Sequence, residues 1–280
     1  MTRIVHMSDL HFGRDRPELL GPLIRAVNGA RADLVAVSGD LTQRALGQQF
    51  QAAAAFLKNI EAPTLVVPGN HDVPVHLPVS RFVRPFHQYR KWINRDLAPV
   101  AHLPGLNVIG LNTVDPWRWQ RGRIRSAAVR RACAICAEAE TGDLNILVGH
   151  HPFEHRPGSG KAPMRGAEKA LRRLSDCGAD VILSGHLHLW LAEPFLTRPF
   201  GAGMLQIHAG TGLSTRHRGE PNDFAVIDRE GDDLLITRWA ATPSGNGFAP
   251  MSEQKFRRGG DGWRGVGTRA EADPRCEVTA

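Results

Sequence analysis

Apolar positions along the first 190 residues alternate between two rhythms. Short, nearly unbroken apolar runs fall at residues 3–8, 33–38, 64–67, 106–111, 144–148 and 180–184. Between them lie stretches with apolar residues three or four apart. These are 17–30, with Leu19, Leu20, Leu23, Ile24 and Val27 on one side, then an alanine-rich stretch from a Thr42 cap to about Asn59, then 79–97, 123–139 and 167–177. A run of four to six apolar residues suits a strand buried on both faces, and the longer period suits an amphipathic helix. The first three runs and their helices read βαβαβ, which predicts parallel strands with right-handed crossovers.

Beyond Leu189 the texture changes. Runs at 204–208, 223–228 and 233–239 follow one another without helices, and Gly231-Asp232-Asp233 suits a hairpin turn. The C-terminal third is expected to add antiparallel strands as a second sheet against the first. Residues 155–166, rich in Pro, Gly and Arg, read as a mobile surface loop. From Met251 onward apolar periodicity fades. The expectation is one domain over 1–250 followed by an irregular tail over 251–280.

Composition narrows the class without choosing a function. With 280 residues, 42% hydrophobic and 22% charged, the chain can bury a sizeable core. No apolar stretch approaches the ~20 residues that span a bilayer. The strand pattern starts at Arg3, leaving no room for a signal peptide, so a cytoplasmic location is expected. A net charge of +7 favours anionic ligands, phosphate esters and nucleic acid included. The charges are scattered, so a solvated arginine-rich surface is the better reading. Of the four cysteines, Cys133 and Cys136 have redox or zinc spacing but sit in a helical pattern, where small core residues are the better reading. No disulfide framework is expected.

Five short stretches carry the candidate chemistry: Asp9-Leu10-His11, Gly39-Asp40, Gly69-Asn70-His71-Asp72, Gly149-His150-His151 and Gly185-His186-Leu187-His188. Each falls at the end of a strand-like run. In parallel α/β sheets ligands gather beyond the carboxyl ends of strands, so one sheet edge can unite Asp9, His11, Asp40, Asn70, His150, His186 and His188. Two carboxylates, an amide oxygen and four imidazoles form a mixed N/O set without thiolate. That set suits Mn, Fe, Zn, Co or Ni rather than a structural zinc of cysteine type. Seven ligands exceed what one catalytic ion with open positions takes. They suit two ions sharing a carboxylate, which together can clamp an in-line displacement. His186 and His188, two apart on an extended chain, share a face and are expected to address neighbouring ions from one side.

These blocks, matched over residues 9–188, resemble the signature of the calcineurin-like metallophosphoesterase superfamily. The short form is similar to its class III cyclic nucleotide phosphodiesterase branch and glycerophosphodiesterase relatives. The resemblance implies an α/β fold of two mixed β-sheets packed as a sandwich and flanked by helices. It implies two divalent or mixed-valence transition metal ions, with manganese, iron or zinc the expected metals. One would be held by Asp9, His11, Asp40 and His188, the other by Asp40, Asn70, His150 and His186, with Asp40 bridging. It implies that His71 is catalytic, stabilising the transition state or protonating the leaving oxygen, and that Asp72 orients His71 by a hydrogen bond. His151 reads either as a structural neighbour or as a support for the ligands.

Beyond the signature, Arg216, Arg218 and Asn222 follow the Ala209-Gly210-Thr211-Gly212 turn. They are candidates for holding phosphate oxygens or the organic group of an ester, the plain alternative being a surface loop with incidental arginines. Asn112 stands where the cyclic nucleotide branch often has Asp, which weakens transfer of that substrate.

The expected activity is a metal-dependent phosphodiesterase acting on cyclic nucleotides or related small phosphodiesters. A nuclease, a phospholipid-headgroup hydrolase or a nucleotide pyrophosphate hydrolase would use the same centre, because fold and centre do not choose among them. Nucleic acid is the less favoured partner, since no added DNA-binding region is visible. A non-enzymatic binding module is the third reading, and the full ligand set with an intact His71 counts against it. The oligomeric state is open, a homodimer included.

Overall fold

The computed structural model describes residues 1–76, 78–155, 162–195, 203–216, 219–260 and 262–270. In chain order β1 (Thr2–Met7), α1 (Pro17–Gly29), β2 (Leu34–Val37), α2 (Gly47–Lys58) and β3 (Thr64–Val66) form the βαβαβ start. A 3₁₀ turn at Asn70–Asp72 leads to α3 (Pro78–Val83) and α4 (His87–Trp92). Then come β4 (Val100–Leu103), β5 (Leu106–Leu111), α5 (Ser126–Ala137), β6 (Leu144–Gly149), α6 (Ala167–Asp176), β7 (Val181–Ser184), β8 (Leu191–Pro194) and β9 (Leu205–His208). The chain closes with β10 (Asp223–Glu230), β11 (Asp233–Ala241), β12 (Phe248–Gly259) and β13 (Gly262–Ala270).

The strands form two mixed sheets, ordered β13-β12-β11-β10-β1-β2-β3 and β4-β5-β6-β7-β9-β8. Each has a parallel block: β1, β2 and β3 at one end of the first, β5, β6, β7 and β9 in the middle of the second. Side-chain parity along β1 shows how the layers form. Ile4 faces the other sheet and joins Val108, Ile146, Leu183 and Ile207 in the inter-sheet core, while Val5 and Met7 face outward to Leu19, Leu23 and Phe50 of α1 and α2. A third cluster seals α5 and α6 onto the far sheet through Val129, Ala132, Leu171, Leu174, Ile109 and Ile182.

Several sequence expectations are corrected. Of the C-terminal runs, 204–208 becomes β9 in the second sheet, but parallel to β7; the later strands join the first sheet instead, β10 pairing antiparallel with β1, matching Ile4 to Ile227, and β11 to β13 extending it. The free edge of β1 opposite β2 accepts them. Residues 251–270 of the expected irregular tail lie in β12 and β13, which pair from Ser252↔Ala270 to Gly259↔Gly262. Within 251–270, among the described residues, Phe256 and Trp263 are the large buried anchors, too sparse to register as a periodic pattern; residues 271–280 lie outside the described residues. The helix expected over 79–97 is two, because Pro85 cannot donate a backbone hydrogen bond and disfavours a helical Arg84. Thr42 does not cap α2, whose N-cap is Leu46.

Of the expected loop 155–166, residues 156–161 lie outside the described residues. Its end is anchored through Arg165 N to Gly122 O (2.9 Å) and Ile124 N to Arg165 O (3.0 Å). Cys133 on α5 and Cys177 just past α6 are joined as a disulfide, against expectation. Sequence spacing could not show that two helices 44 residues apart lie side by side. Cys136 is buried, and burial pushes its thiol up to about 11. Among the described residues no helix is long and apolar enough to cross a membrane.

Candidate metal centre

The carboxyl ends of β1, β2 and β3 in one sheet and of β6, β7 and β9 in the other open onto the same edge of the sandwich. The loops after β1 and β2 run side by side there, with Asp9 N donating to Gly39 O (3.1 Å), His11 N to Asp40 O (3.0 Å) and Phe12 N to Leu41 O (2.8 Å). Among the described residues seven non-glycine residues have positive φ, and five of them are candidate ligands: Asp9 (55°), His11 (51°), Asp40 (51°), His186 (69°) and His188 (57°). Left-handed backbone is unfavourable for such residues and concentrates at functional sites. The turns are shaped to aim side chains, not merely to reverse the chain.

The side chains converge in two groups. In the first, His188 Nε2 lies 3.1 Å and His11 Nε2 3.4 Å from Asp9 Oδ1, and the two ring nitrogens are 3.3 Å apart. In the second, His150 Nε2 lies 3.1 Å from Asn70 Oδ1, 3.3 Å from Asp40 Oδ2 and 3.3 Å from His186 Nδ1. Asp40 Oδ2 also sits 3.7 Å from His11 Nε2, so Asp40 stands between the groups. Its other oxygen accepts the backbone N–H of His71 (2.8 Å).

The chemistry of these atoms calls for cations. His150 Nδ1 donates to Ser38 O (2.8 Å) and His188 Nδ1 to Arg216 O (3.0 Å). Each therefore turns a lone-pair nitrogen toward its group, the usual tautomer lock of a ligand histidine. His150 Nε2, Asn70 Oδ1 and Asp40 Oδ2 are then three acceptors facing one another. Asp9 Oδ1 is buried without a hydrogen bond. Such a set is repulsive unless a positive charge sits among it. Burial alone would strip a proton from His150, yet the Asp40 and Asp9 carboxylates outweigh it and raise His150 to about 9. Both carboxylates are held below their usual range despite burial, by neighbouring histidines, His188 chiefly for Asp9 and His150 for Asp40. A mixed N/O donor set of this kind fits divalent transition ions.

Two glycines of the motifs serve these carboxylates rather than the turns alone. A Cβ on Gly69 would overlap Asp40 Oδ1 and the Asp40 backbone N, and one on Gly185 would overlap Ser8 Oγ and Asp9 Oδ2. His186 and His188 do not lie on an extended chain. Both adopt left-handed backbone around Leu187, whose N–H closes on Gly185 O (2.8 Å). One ring therefore reaches each group.

His71 is half-buried beside His11, with ring centres 4.9 Å apart. Its Nδ1 donates to Gln43 O (2.8 Å), and its Nε2 accepts from Arg216 Nη1 (3.2 Å). The ring is thus oriented by a backbone carbonyl, not by Asp72. The Asp72 oxygens instead accept from Gly69 N (2.9 Å), Leu41 N (3.2 Å), Thr42 N (2.9 Å) and Thr42 Oγ1 (3.1 Å). Asp72 ties the loop carrying Asp40 to the loop carrying Asn70 and His71. Burial and the Asp40 charge push it up to about 6 against these bonds.

Both nitrogens of His151 are occupied, by Thr113 Oγ1 (2.8 Å) and Gln120 O (3.0 Å), so this ring anchors the loop after β5. Asn112 caps its own turn through Val114 N (3.0 Å). Asn222 is buried, spending its amide on Thr211 and Ser214, so it braces the turn below Arg216 rather than facing a ligand. Arg218 lies outside the described residues. Sequence reasoning missed Gln43, Ser38 and the carbonyl of Arg216, which act through backbone oxygens and leave no mark in residue type.

Two sheets thus deliver Asp, Asn and His side chains from strand ends to one edge, in groups that could hold metal ions. Residues 2–189 match the family model described as calcineurin-like phosphoesterase. The chain belongs to that family. Among solved structures it is similar to the purple acid phosphatase PPD1 from yellow lupin seeds (TM-score 0.69, 14% identity, 89% of this chain and 52% of that one). It is also similar to Vacuolar Protein Sorting 29 from Cryptosporidium parvum (TM-score 0.51, 14% identity, 91% and 98%). These likenesses concern the fold. In sequence, 80 residues are 32% identical to the glycerophosphodiester phosphodiesterase GpdQ of Enterobacter lignolyticus (strain SCF1). That match covers 25% of this chain and 29% of the relative, so less than a third of the relative's length is spanned.

Proposed function

We propose that the chain is a phosphodiesterase with two metal ions, acting on small phosphodiesters, with glycerophosphodiesters and cyclic nucleotides as the first classes to test. The position of Asp40 between two acceptor groups carries the two-ion reading. Asp9, His11, Asp40 and His188 would hold one ion, and Asp40, Asn70, His150 and His186 the other. The partial likeness to a glycerophosphodiester phosphodiesterase supports the diester class.

When bound, the ions supply Lewis acidity and a water-derived nucleophile at neutral pH. The chain's own residues do the rest. Arg216 projects a guanidinium into the site next to His71 and would pair with a phosphate oxygen. In the structure that guanidinium occupies His71 Nε2. A bound phosphate anion competes for it and frees Nε2 to face the ester oxygen. His71, its Nδ1–H held by Gln43 O, takes up a proton from solvent at the freed Nε2 and, as imidazolium, gives that proton to the departing alkoxide as the P–O bond breaks, returning to the neutral ring. The left-handed turns at Asp9, His11 and Asp40 fix the carboxylates before substrate arrives, so little reorganisation accompanies the reaction.

The test is a Mn²⁺-supplemented panel of glycerophosphodiesters, cyclic nucleotides, nitrophenyl mono- and diesters and single-stranded DNA. Asp40→Ala should lose both ions and turnover. His71→Ala should keep its metal and lose far more rate with alkyl than with nitrophenyl leaving groups. Equal losses on both would remove the proton-delivery role, and two ions retained in Asp40→Ala would remove the bridging one.

A further inference from the structure

Five of the large hydrophobic side chains that stand out in solvent belong to one place. Val79 (76% exposed), Phe82 (46%) and Val83 (70%) lie on α3, and Trp117 (71%) and Trp119 (64%) on the loop after β5. Phe82 stacks on Trp117 with ring centres 4.6 Å apart. The loop is built, not incidental. Buried Arg81 donates to Pro116 O (2.6 Å), Arg118 O (2.7 Å) and Pro74 O (3.1 Å), fastening loop to helix, and stands 5.4 Å from the Trp119 ring. Contiguous exposed apolar surface of this kind marks an interaction site.

The charge around it is one-sided. Segments 73–95 and 116–137 together hold eleven Lys and Arg and no Asp or Glu. The rest of the chain has 24 Lys and Arg against 28 Asp and Glu. The net charge of +7 therefore comes from these two segments. Arg84, Arg90, Lys91, Arg118 and Arg121 are exposed, and a cleft of about 500 Å³ beside Val83 is lined by Arg84, His87 and Arg90. The patch adjoins the metal centre at two points. Pro74, which Arg81 grips, is two residues past Asp72, and Gln120 O holds His151 beside His150, with ring centres 4.9 Å apart.

We propose that α3 and the loop 115–121 dock the protein on an anionic lipid surface, bringing the metal centre to phosphodiester headgroups. The proposal rests on the phosphodiesterase reading only for what the site does once docked. Exposed tryptophans settle at the headgroup level, apolar side chains enter the acyl boundary, and arginines pair with anionic lipid. A nucleic-acid face would offer π surfaces for base stacking, and the most exposed members here, with Trp117, are two valines. A symmetric contact with a second copy would set a strongly cationic face against itself.

The test is co-sedimentation of the full chain with phosphatidylglycerol–phosphatidylcholine vesicles and with pure phosphatidylcholine vesicles. Binding is expected on the anionic vesicles alone and should weaken as salt rises. The double variant Val79→Ser, Trp117→Ser changes only exposed positions. It should bind roughly tenfold more weakly or worse, with turnover of bis(nitrophenyl) phosphate in solution unchanged. Equal binding to both vesicle types, no binding, or a variant that binds like the parent overturns the proposal. So does an oligonucleotide-binding or self-association signal that the variant abolishes while vesicles stay unbound. Because docking is read without turnover, an inactive protein that still docks sinks the phosphodiesterase reading and leaves this one standing.

Discussion

Asp72→Asn separates two roles for one carboxylate. The structure gives Asp72 no bond to the His71 ring; it gives Oδ2 two backbone donors, Gly69 N and Leu41 N, and Oδ1 the Thr42 N and Oγ1. Replacing either oxygen by an NH₂ group removes two acceptances and turns donors against a donor. Hydrogen bonds to a charged group contribute about 1.5–3 kcal/mol each, about 3–6 kcal/mol for the two; the neutral amide also escapes the burial and Asp40 repulsion that raise Asp72 to about 6, about 3 kcal/mol at pH 8, so the net loss is up to about 3 kcal/mol. Urea unfolding at pH 8 in chelator measures it with Asp72 ionised, well above its value of about 6. Because the same bonds position the loop of Asp40, Mn²⁺ affinity by calorimetry should fall about 10–100-fold. The alkyl-to-nitrophenyl rate ratio should stay near that of the parent, since Gln43 O still orients His71. A variant within about 1 kcal/mol of the parent that nonetheless loses alkyl substrates as His71→Ala does would refute this reasoning and return Asp72 to His71.

Three further outcomes follow from the same structure. Gly185→Ala, whose Cβ would overlap Ser8 Oγ and Asp9 Oδ2, should cost roughly 1–3 kcal/mol and lower metal content, whereas Gly149→Ala, whose nearest neighbour is Thr113 Cγ2 at 3.2 Å, should keep its metal in elemental analysis. Burial lowers His6 to about 3; the unfolded chain then takes a proton near pH 6.5 that the folded chain refuses, so this stability is full above pH 6.5 and is lost as pH falls toward 3, by up to about 5 kcal/mol. In chelator, His6→Gln should flatten urea stability between pH 6.5 and 4, and an unchanged slope would show that other groups carry it. Cys177→Ser opens a link spanning 44 residues, which the chain-entropy model values at about 4 kcal/mol; reductant should lower the melting temperature of the parent and leave the variant unmoved.

Much of the fold was legible because burial on both faces leaves a local trace. β1, β2, β5, β6 and β7 are mainly apolar runs, and their order with α1, α2, α5 and α6 could be read directly. The edges were not. Among the described residues β12 and β13 hold Phe248, Phe256 and Trp263 as their large buried anchors, and β4 and β8 are four residues long. Pairing of β10 with β1 joins residues more than 200 positions apart, which no local period encodes. The site divides in the same way. Asp9, His11, Asp40, Asn70, His150, His186 and His188 were named from residue type and place in the chain, and the structure brings these seven side chains together. Asp72, Asn112 and Asn222 were assigned work on the ring or the substrate. In the fold they bind backbone.

The sequence by itself determined the ligand types, the strand ends that carry them and the family they point to, because donor chemistry and strand period are properties of neighbouring residues. Only the tertiary structure decided which oxygen or nitrogen meets which. Asp40 standing between two groups, Gly69 and Gly185 making room for carboxylates, Gln43 O and Ser38 O fixing the rings, and a cationic apolar patch drawn from two distant segments all depend on distances between loops. Those distances are set by how the two sheets pack, and packing is a property of the whole chain.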